Sequence, residues 1–296
     1  MADATRREPQ RENVQRLIWQ YKQAPEFLKL RPRTQADYRL FLDKIQEAFG
    51  PLSMAAMDAR EVARHIFNWR DGMASSPRRA DYAVQVLKVL LSWAVKRGLM
   101  EHNRAAGVGR IGHSDRRETI WSDAQVEAFL KHAPEPLRRA MILAIETGQR
   151  QGDLLALPWS AIRGDVIQLR QAKTGARVAI PISPRLRLCL DSTPRRDGLV
   201  VLTKSDGMPW DSKGNGFRSA WWDVCDAAGI KGVTFHDLRG TFVTRRLAEG
   251  WTTQEVAMCT GHSLRDLASL DTYADRATIA EATAQRVNAR TSGTKT

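Results

Sequence analysis

The sequence predicts a mainly α protein with a small antiparallel β-sheet. Three observations carry that expectation: apolar residues recur at three- and four-residue steps along most of the 296 residues, one pair of alternating segments flanks a tight turn, and a turn-rich charged stretch near residue 110 separates two periodic regions. A chain of this length suits two domains, each burying a core of its own.

Residues 1–30 read as an N-terminal lead, flexible or weakly helical, with Arg6, Arg7, Arg11 and Arg16 among polar neighbours and one short apolar patch at 17–19. From Thr34, a possible cap in its residue type, Tyr38, Phe41, Ile45 and Ala48 share a helical face until Gly50-Pro51 stops the run. Asp58 with Glu61 has capping-box spacing and opens a second helix through Val62, Ile66 and Trp69 to Asp71-Gly72. A third starts at Pro77, lines one face with Tyr82, Val86, Val89, Leu90, Trp93 and Ala94, and closes on Lys96-Arg97-Gly98. These helices predict a domain over 31–102. The stretch 103–117, with Gly107, Gly109 and Gly112, reads as a linker.

The second domain is expected over 118–296. Ser122 caps a helix through Val126, Phe129 and Leu130, and another follows Pro134 up to Gly148. Segments 165–170 and 177–182 alternate and are partly β-branched, with Lys173-Thr174-Gly175 as the turn between them. Helical periodicity then returns at 184–190, 215–228, 237–249, 253–259 and 277–287.

Charge narrows the function. Lys plus Arg number 46 against 33 Asp plus Glu, a net +13 with an isoelectric point near 10.1, and both halves are basic. Such a surface favours a polyanion, because each neutralised phosphate releases condensed counterions. Nucleic acid, double-stranded DNA included, is the leading partner and a membrane surface the second. No stretch approaches the roughly 18 apolar residues of a spanning helix, and the polar start lacks the apolar core of a signal peptide, so a cytoplasmic protein, nucleoid-associated when on DNA, is expected.

Cys189, Cys225 and Cys259 are odd in number and far apart, which suits reduced, structural thiols. The phosphate-cradling G-x-x-x-x-G-K-[ST] and the zinc-binding H-E-x-x-H are missing, and no carboxylates cluster at ligand spacing. No cofactor and no metal are expected, which leaves the chemistry to side chains.

Five signals are candidates for that chemistry, and each has a bland reading. Arg150 follows Thr147-Gly148 and could simply complement a helix C-terminus, worth about 0.3–1 kcal/mol. His236 and Arg239, three residues apart, can share a helix face, although a histidine there is more often a local hydrogen-bonder. His262 after Gly261 suits a C-cap, Tyr273 among leucines suits a core edge, and Lys173 suits a solvated turn.

Taken in order, the five pieces resemble the catalytic constellation of the tyrosine recombinases, the phage integrase family. The resemblance spans 118–296: T-G-x-R ending at Arg150, a hairpin lysine at Lys173, H-x-x-R from His236 to Arg239, G-H at His262, and a terminal Tyr273. The helical pattern over 31–102 is similar to the family's core-binding domain. Asp153 stands where the family usually has Glu, and either acid can orient a neighbouring cation. The gap from His262 to Tyr273 is a residue or two longer than in common members, and no room is expected for a separate arm-type DNA-binding domain.

The resemblance implies Tyr273 as nucleophile at a DNA phosphate, leaving a 3′-phosphotyrosyl link and a free 5′-hydroxyl. A free phenol, with a pKa of about 10, is ionised in about one molecule per thousand at pH 7, a handicap of roughly 4 kcal/mol that nearby cations or a base must offset. Arg150 and Arg239, with His262 and His236, suit that task, since guanidiniums stay charged and offer paired donors to phosphate oxygens. Lys173 takes the family's role of general acid for the leaving oxygen. The resemblance further implies a homotetramer on paired recombination sites, two domains clamping the duplex, accessory DNA-bending or directionality proteins, and a final helix whose Ile279, Ala282 and Val287 dock on a neighbour or pack within the chain. Prophage or mobile-element integration is the preferred role. A type IB topoisomerase-like enzyme and a non-catalytic DNA-binding protein of the same fold are the competing readings.

Overall fold

The computed structural model describes residues 12–112, 119–195, 199–211, 214–262 and 275–292, and divides into two compact units, Met1–Ser114 and Asp115–Thr296. The first unit contains α1 (Val14–Gln23), α2 (Pro25–Leu28), α3 (Pro32–Phe49), α4 (Met54–Asp58), α5 (Val62–Asp71) and α6 (Pro77–Lys96). α6 is its axis. Ala83, Val86, Leu87, Leu90, Leu91 and Ala94 are fully buried against α1, α3 and α5.

Three expectations for this unit are corrected. Of the two readings of the lead, the helical one holds from Val14, and that helix is firmly packed instead of weak, because Val14, Leu17, Ile18 and Tyr21 form a buried stripe at helical spacing, capped by the Asn13 side chain accepting from the Arg16 N–H at 3.0 Å. A ten-residue helix is marginal alone in water, and only packing stabilises it; Tyr21 meets Phe27 and Trp93 edge-on, with ring centroids 5.5 and 5.4 Å apart. Asp58 ends α4 instead of capping α5, and its carboxylate accepts from the backbone N–H groups of Glu101 and His102 at 2.7 and 3.1 Å. Residues 103–112 of the expected linker are packed down. Ala105 and Val108 are buried, and Asp81 accepts from the Ile111 and Gly112 amides at 2.8 and 3.1 Å. Residues 113–118 lie outside the described residues.

The second unit runs α7 (Asp123–His132), α8 (Glu135–Thr147), α9 (Gln151–Leu155), a 3-10 turn (Trp159–Ala161), β1 (Ile162–Arg163), β2 (Val166–Arg170), β3 (Arg177–Pro181), α10 (Pro184–Asp191), α11 (Asn215–Ala227), α12 (Asp237–Ala248), α13 (Thr253–Thr260) and α14 (Arg276–Ser292). The mainly α class with a small antiparallel sheet is as expected. Strands β1, β2 and β3 form a meander, and β2 pairs with β3 from Val166 opposite Pro181 to Arg170 opposite Arg177. β1 escaped the sequence because two residues are too few to alternate.

Ser122 forms the capping box of α7 with Gln125. Behind it, Trp121, Phe129, Phe217, Trp221 and Phe235 form one aromatic cluster, with Phe129 and Trp221 centroids 4.2 Å apart. Each fully buried side chain of this kind contributes about 1.5–3 kcal/mol through removal from water. α8 packs on α12, and α13 packs on β3. Gly148 ends α8 in the left-handed region at φ 63°, where a Cβ would stand 2.5 Å from Phe242 Cδ1. Only glycine permits both that conformation and that approach, and the residues after α8 are thereby brought against α12. In this single chain α14 also packs on α12: the Asp275 N–H donates to Thr244 Oγ1 at 2.9 Å, and Ile279 rests on the core. The Val287 side chain lies outside the described residues.

Candidate active site

Arg150 occupies the N-cap position of α9, two residues beyond Gly148, instead of the helix C-terminus of the bland reading. Its guanidinium is half-buried and donates from Nη1 to Gln171 Oε1 at 2.7 Å. Gln171 stands just past β2, on the strand face that also carries buried Ile167, and is 1% exposed. Its Nε2 donates to Gln149 Oε1 at 2.8 Å and to the Thr260 carbonyl at 2.9 Å. Gln149, buried in turn, donates to the carbonyls of Thr147 and Cys259 at 2.9 and 2.7 Å. Two glutamines therefore join the end of α8, the sheet and the end of α13.

Arg239, in the first turn of α12, is 1% exposed although it carries a full charge. Burial on that scale requires compensating acceptors. Nη1 donates to the Gly148 carbonyl at 2.9 Å and Nη2 to the Thr260 carbonyl at 2.5 Å. Arg150 and Arg239 thus share a frame, since Gln171 and Arg239 both donate to Thr260.

His236 precedes α12, and Asp237 fixes its loop by accepting from the Thr234 N–H and hydroxyl at 2.6 and 2.7 Å. The ring of His236 keeps an exposed edge, yet enough protein surrounds it that desolvation, followed by the charge of Arg239, lowers its pKa. Asp237 pulls the other way, while Arg150 and Lys173 add to the lowering. Hydrogen bonds tie Arg150, Gln171, Thr260 and Arg239 together, Thr174 beside Lys173 donates to the same Gln171, and His236 stands three residues before Arg239 at the start of α12.

His262 follows the αL Gly261 at the end of α13, and its Nδ1 pairs with Thr260 Oγ1 at 2.8 Å. A Cβ on Gly261 would stand 2.8 Å from Gln171 Oε1, so close backbone approach as well as φ 73° calls for glycine. Lys173 sits exposed on the β2–β3 turn. The turn is held on either side of it. Asp153 Oδ1 accepts from the Ala172 N–H at 2.7 Å, and the Thr174 hydroxyl donates to Gln171 Oε1 at 2.9 Å. Among the described residues Asp153 therefore anchors backbone and makes no ion pair with a guanidinium, which corrects the cation-orienting role expected of it. Tyr273 lies outside the described residues.

Sequence reasoning missed Gln149 and Gln171. A signal for Gln171 exists: period-two alternation places it on the face of Ile167 and Leu169, an inward position that an amide occupies only when its hydrogen bonds are met.

A helical unit carrying a three-stranded meander, with two arginines joined through Gln171 and Thr260, a histidine at the start of α12 and a lysine on the turn that Gln171 holds, defines a class. The model of the phage integrase family matches residues 121–278, and the chain belongs to that family of tyrosine recombinases. Among its relatives, the integrase of Escherichia phage HK022 is 30% identical over 159 residues, covering 52% of this chain and 43% of that protein. Prophage integrase IntE of Escherichia coli K12 is 49% identical over 148 residues, 48% of this chain and 38% of the relative. The shufflon-specific DNA recombinase of Escherichia coli is 30% identical over 151 residues, 50% of this chain and 37% of that protein. The matches span about two fifths of these relatives' length. In fold, the chain is similar to lambda integrase in a tetramer bound to a Holliday junction, with a TM-score of 0.75 at 20% identity over 90% of this chain and 79% of that one. It is also similar to the Tn1549 transposon integrase with circular intermediate DNA, with a TM-score of 0.74 at 16% identity over 94% and 99%.

Proposed function

We propose that this chain is a site-specific DNA recombinase that cuts and rejoins strands through a covalent link between Tyr273 and a 3′-phosphate. The observation that supports this most is the hydrogen-bond frame through Gln171 and Thr260, which ties Arg150, Arg239 and the turn carrying Lys173 together from elements far apart in sequence. In the reaction, the Tyr273 oxygen attacks phosphorus, the bond to the 5′-oxygen breaks, and Lys173 protonates the departing oxygen. Arg150 and Arg239 neutralise the charge growing on the non-bridging oxygens. His236, held neutral at pH 7 by desolvation and its cationic neighbours, is suited to accept the phenol proton. His262, oriented through Thr260, adds a donor to the phosphate.

The link to tyrosine conserves the phosphodiester's energy, so a second strand's 5′-hydroxyl reverses the step without a nucleotide. On this reading the helical first unit grips DNA as a core-binding domain, four copies act on two sites, as in the lambda integrase tetramer, and accessory proteins bend the DNA. A role in prophage or mobile-element integration and a cytoplasmic, DNA-associated location go with it.

The test is covalent capture. A pool of nicked duplexes with randomised sequence is incubated with the protein and denatured; an SDS-resistant adduct is expected with the wild type and none with Tyr273→Phe. An adduct that persists in that variant refutes the assignment.

A further inference from the structure

We infer that Gln171 is a positioning residue for this reaction, setting the Arg150 guanidinium and the Lys173 turn in a fixed relation to each other. The inference rests on the recombinase reading above and adds to it a group that touches neither DNA nor the reacting atoms.

Every hydrogen-bonding position of the Gln171 amide is used. Oε1 accepts from Arg150 and from Thr174, the residue after Lys173, while Nε2 donates to Gln149 and to the Thr260 carbonyl. A primary amide has two acceptor and two donor positions, and all four are filled. The amide cannot be turned over, because a guanidinium on one side only donates and a carbonyl on the other only accepts. Almost completely buried, it has no water to substitute for a lost partner. One side chain is thus a single hydrogen bond from the phosphate-binding arginine and a single hydrogen bond from the turn that presents the general acid. Through Thr260 it also shares an acceptor with Arg239. Lys173 itself is exposed and, among the described residues, makes no such anchor; its turn is held by the Gln171 side chain and main chain, by Asp153, and by Arg170 donating to the Gly175 carbonyl at 3.0 Å.

The consequence is specific to leaving-group protonation. When the 5′-bridging oxygen is replaced by sulfur, the P–S bond breaks to give a thiolate that needs no proton from the enzyme. A change that only misplaces Lys173 is then compensated by the sulfur substrate, whereas a change that damages the fold is not.

The probe is a nicked duplex enriched from the random pool by covalent capture with the wild type, prepared with oxygen or with sulfur at the scissile 5′ position. Thr174→Val removes the hydroxyl link on an exposed turn and leaves the buried amide intact; it is expected to slow cleavage of the oxygen-linked duplex about 3- to 10-fold and the sulfur-linked one much less. Gln171→Ala is expected to slow the oxygen-linked duplex about 100-fold, of the size of a general-acid contribution, with part of that deficit remaining on the sulfur-linked duplex because Arg150 has also lost its anchor. Equal deficits on both duplexes, or no deficit in either variant, overturn the inference. If Gln171→Ala does not fold, Thr174→Val decides alone. Failure of the wild type to form any adduct removes the recombinase reading itself and this inference with it, an outcome distinct from normal cleavage by the variants.

Discussion

Arg150 and Arg239 carry the same charge and are proposed to act on one phosphate, yet the protein holds them differently. Arg150 is half-buried with a side-chain acceptor, whereas Arg239 is buried and donates to two backbone carbonyls from separate segments. Alanine at either position should slow DNA cleavage on the order of 10²–10³-fold. Arg239→Ala should lower stability more than Arg150→Ala, because it strips the Gly148 carbonyl of its side-chain donor at a cost of about 1–3 kcal/mol, whereas Gln171 Oε1 keeps the Thr174 hydroxyl when Arg150 is lost; thermal melts of the two variants beside their cleavage rates check this. His236 supplies a pH signature. Its pKa in the folded protein lies below the ordinary 6.5, so in the window beneath 6.5 the unfolded chain binds more protons than the folded one. Stability contributed by the neutral ring is therefore present above pH 6.5 and declines as pH falls toward the folded value. Titration of the His236 ring protons by NMR in the DNA-free protein should give a midpoint under 6.5, and one at or above it would contradict the desolvation that lowers it.

At the scale of elements, the site depends on where helices stop. α8 stops at Gly148 and α13 at Gly261, both left-handed, and each glycine also makes a close contact, with Phe242 and with Gln171 respectively. Gly148→Ala should lower the melting temperature, since the left-handed backbone costs a side-chain-bearing residue roughly 1–2 kcal/mol and Phe242 must move as well. Refolded Gly148→Ala that melts as the wild type does would show that the approach of α8 to α12 is not as tight as described. The sequence made these stops legible, because an apolar run followed by glycine is a local signal. The stripe of α1 was there to be read as well, since Val14, Leu17, Ile18 and Tyr21 stand at i, i+3, i+4 and i+7, and what the sequence did not show is that α3 and α6 offer the surface that packs it. Nor did it distinguish Asp58 as a cap from Asp58 as a staple: a carboxylate three residues before a glutamate suits both, and the amides of Glu101 and His102 are the better partners.

Across the whole molecule, on the recombinase reading proposed above, a net charge of +13 implies that DNA affinity is largely a counterion effect. Binding to duplex DNA should therefore weaken steeply with salt, with log K falling linearly against log salt concentration, by about 0.9 per phosphate contacted. A salt-insensitive affinity measured by fluorescence anisotropy would argue against phosphate contacts as the main source of binding. Fold similarity to integrases at 16–20% identity concerns the fold alone, because packing patterns outlast most individual side chains.

Local chemistry determined much of this protein without help from tertiary contacts: helix periodicity, the capping box at Ser122, the hairpin around Lys173, and the ordered motif residues Arg150, His236, Arg239 and His262 can all be read along the chain. Those features depend on neighbours within a few residues, and a linear sequence displays them. The company those residues keep was decided only by the fold. Gln149, Gln171 and Thr260 join three segments separated by as many as 110 positions, and Asp153 anchors the Ala172 amide through one carboxylate oxygen, a partner 19 positions away that its place in the motif does not announce. A hydrogen bond is settled by which group is within about 3 Å in space, a distance that sequence separation does not encode.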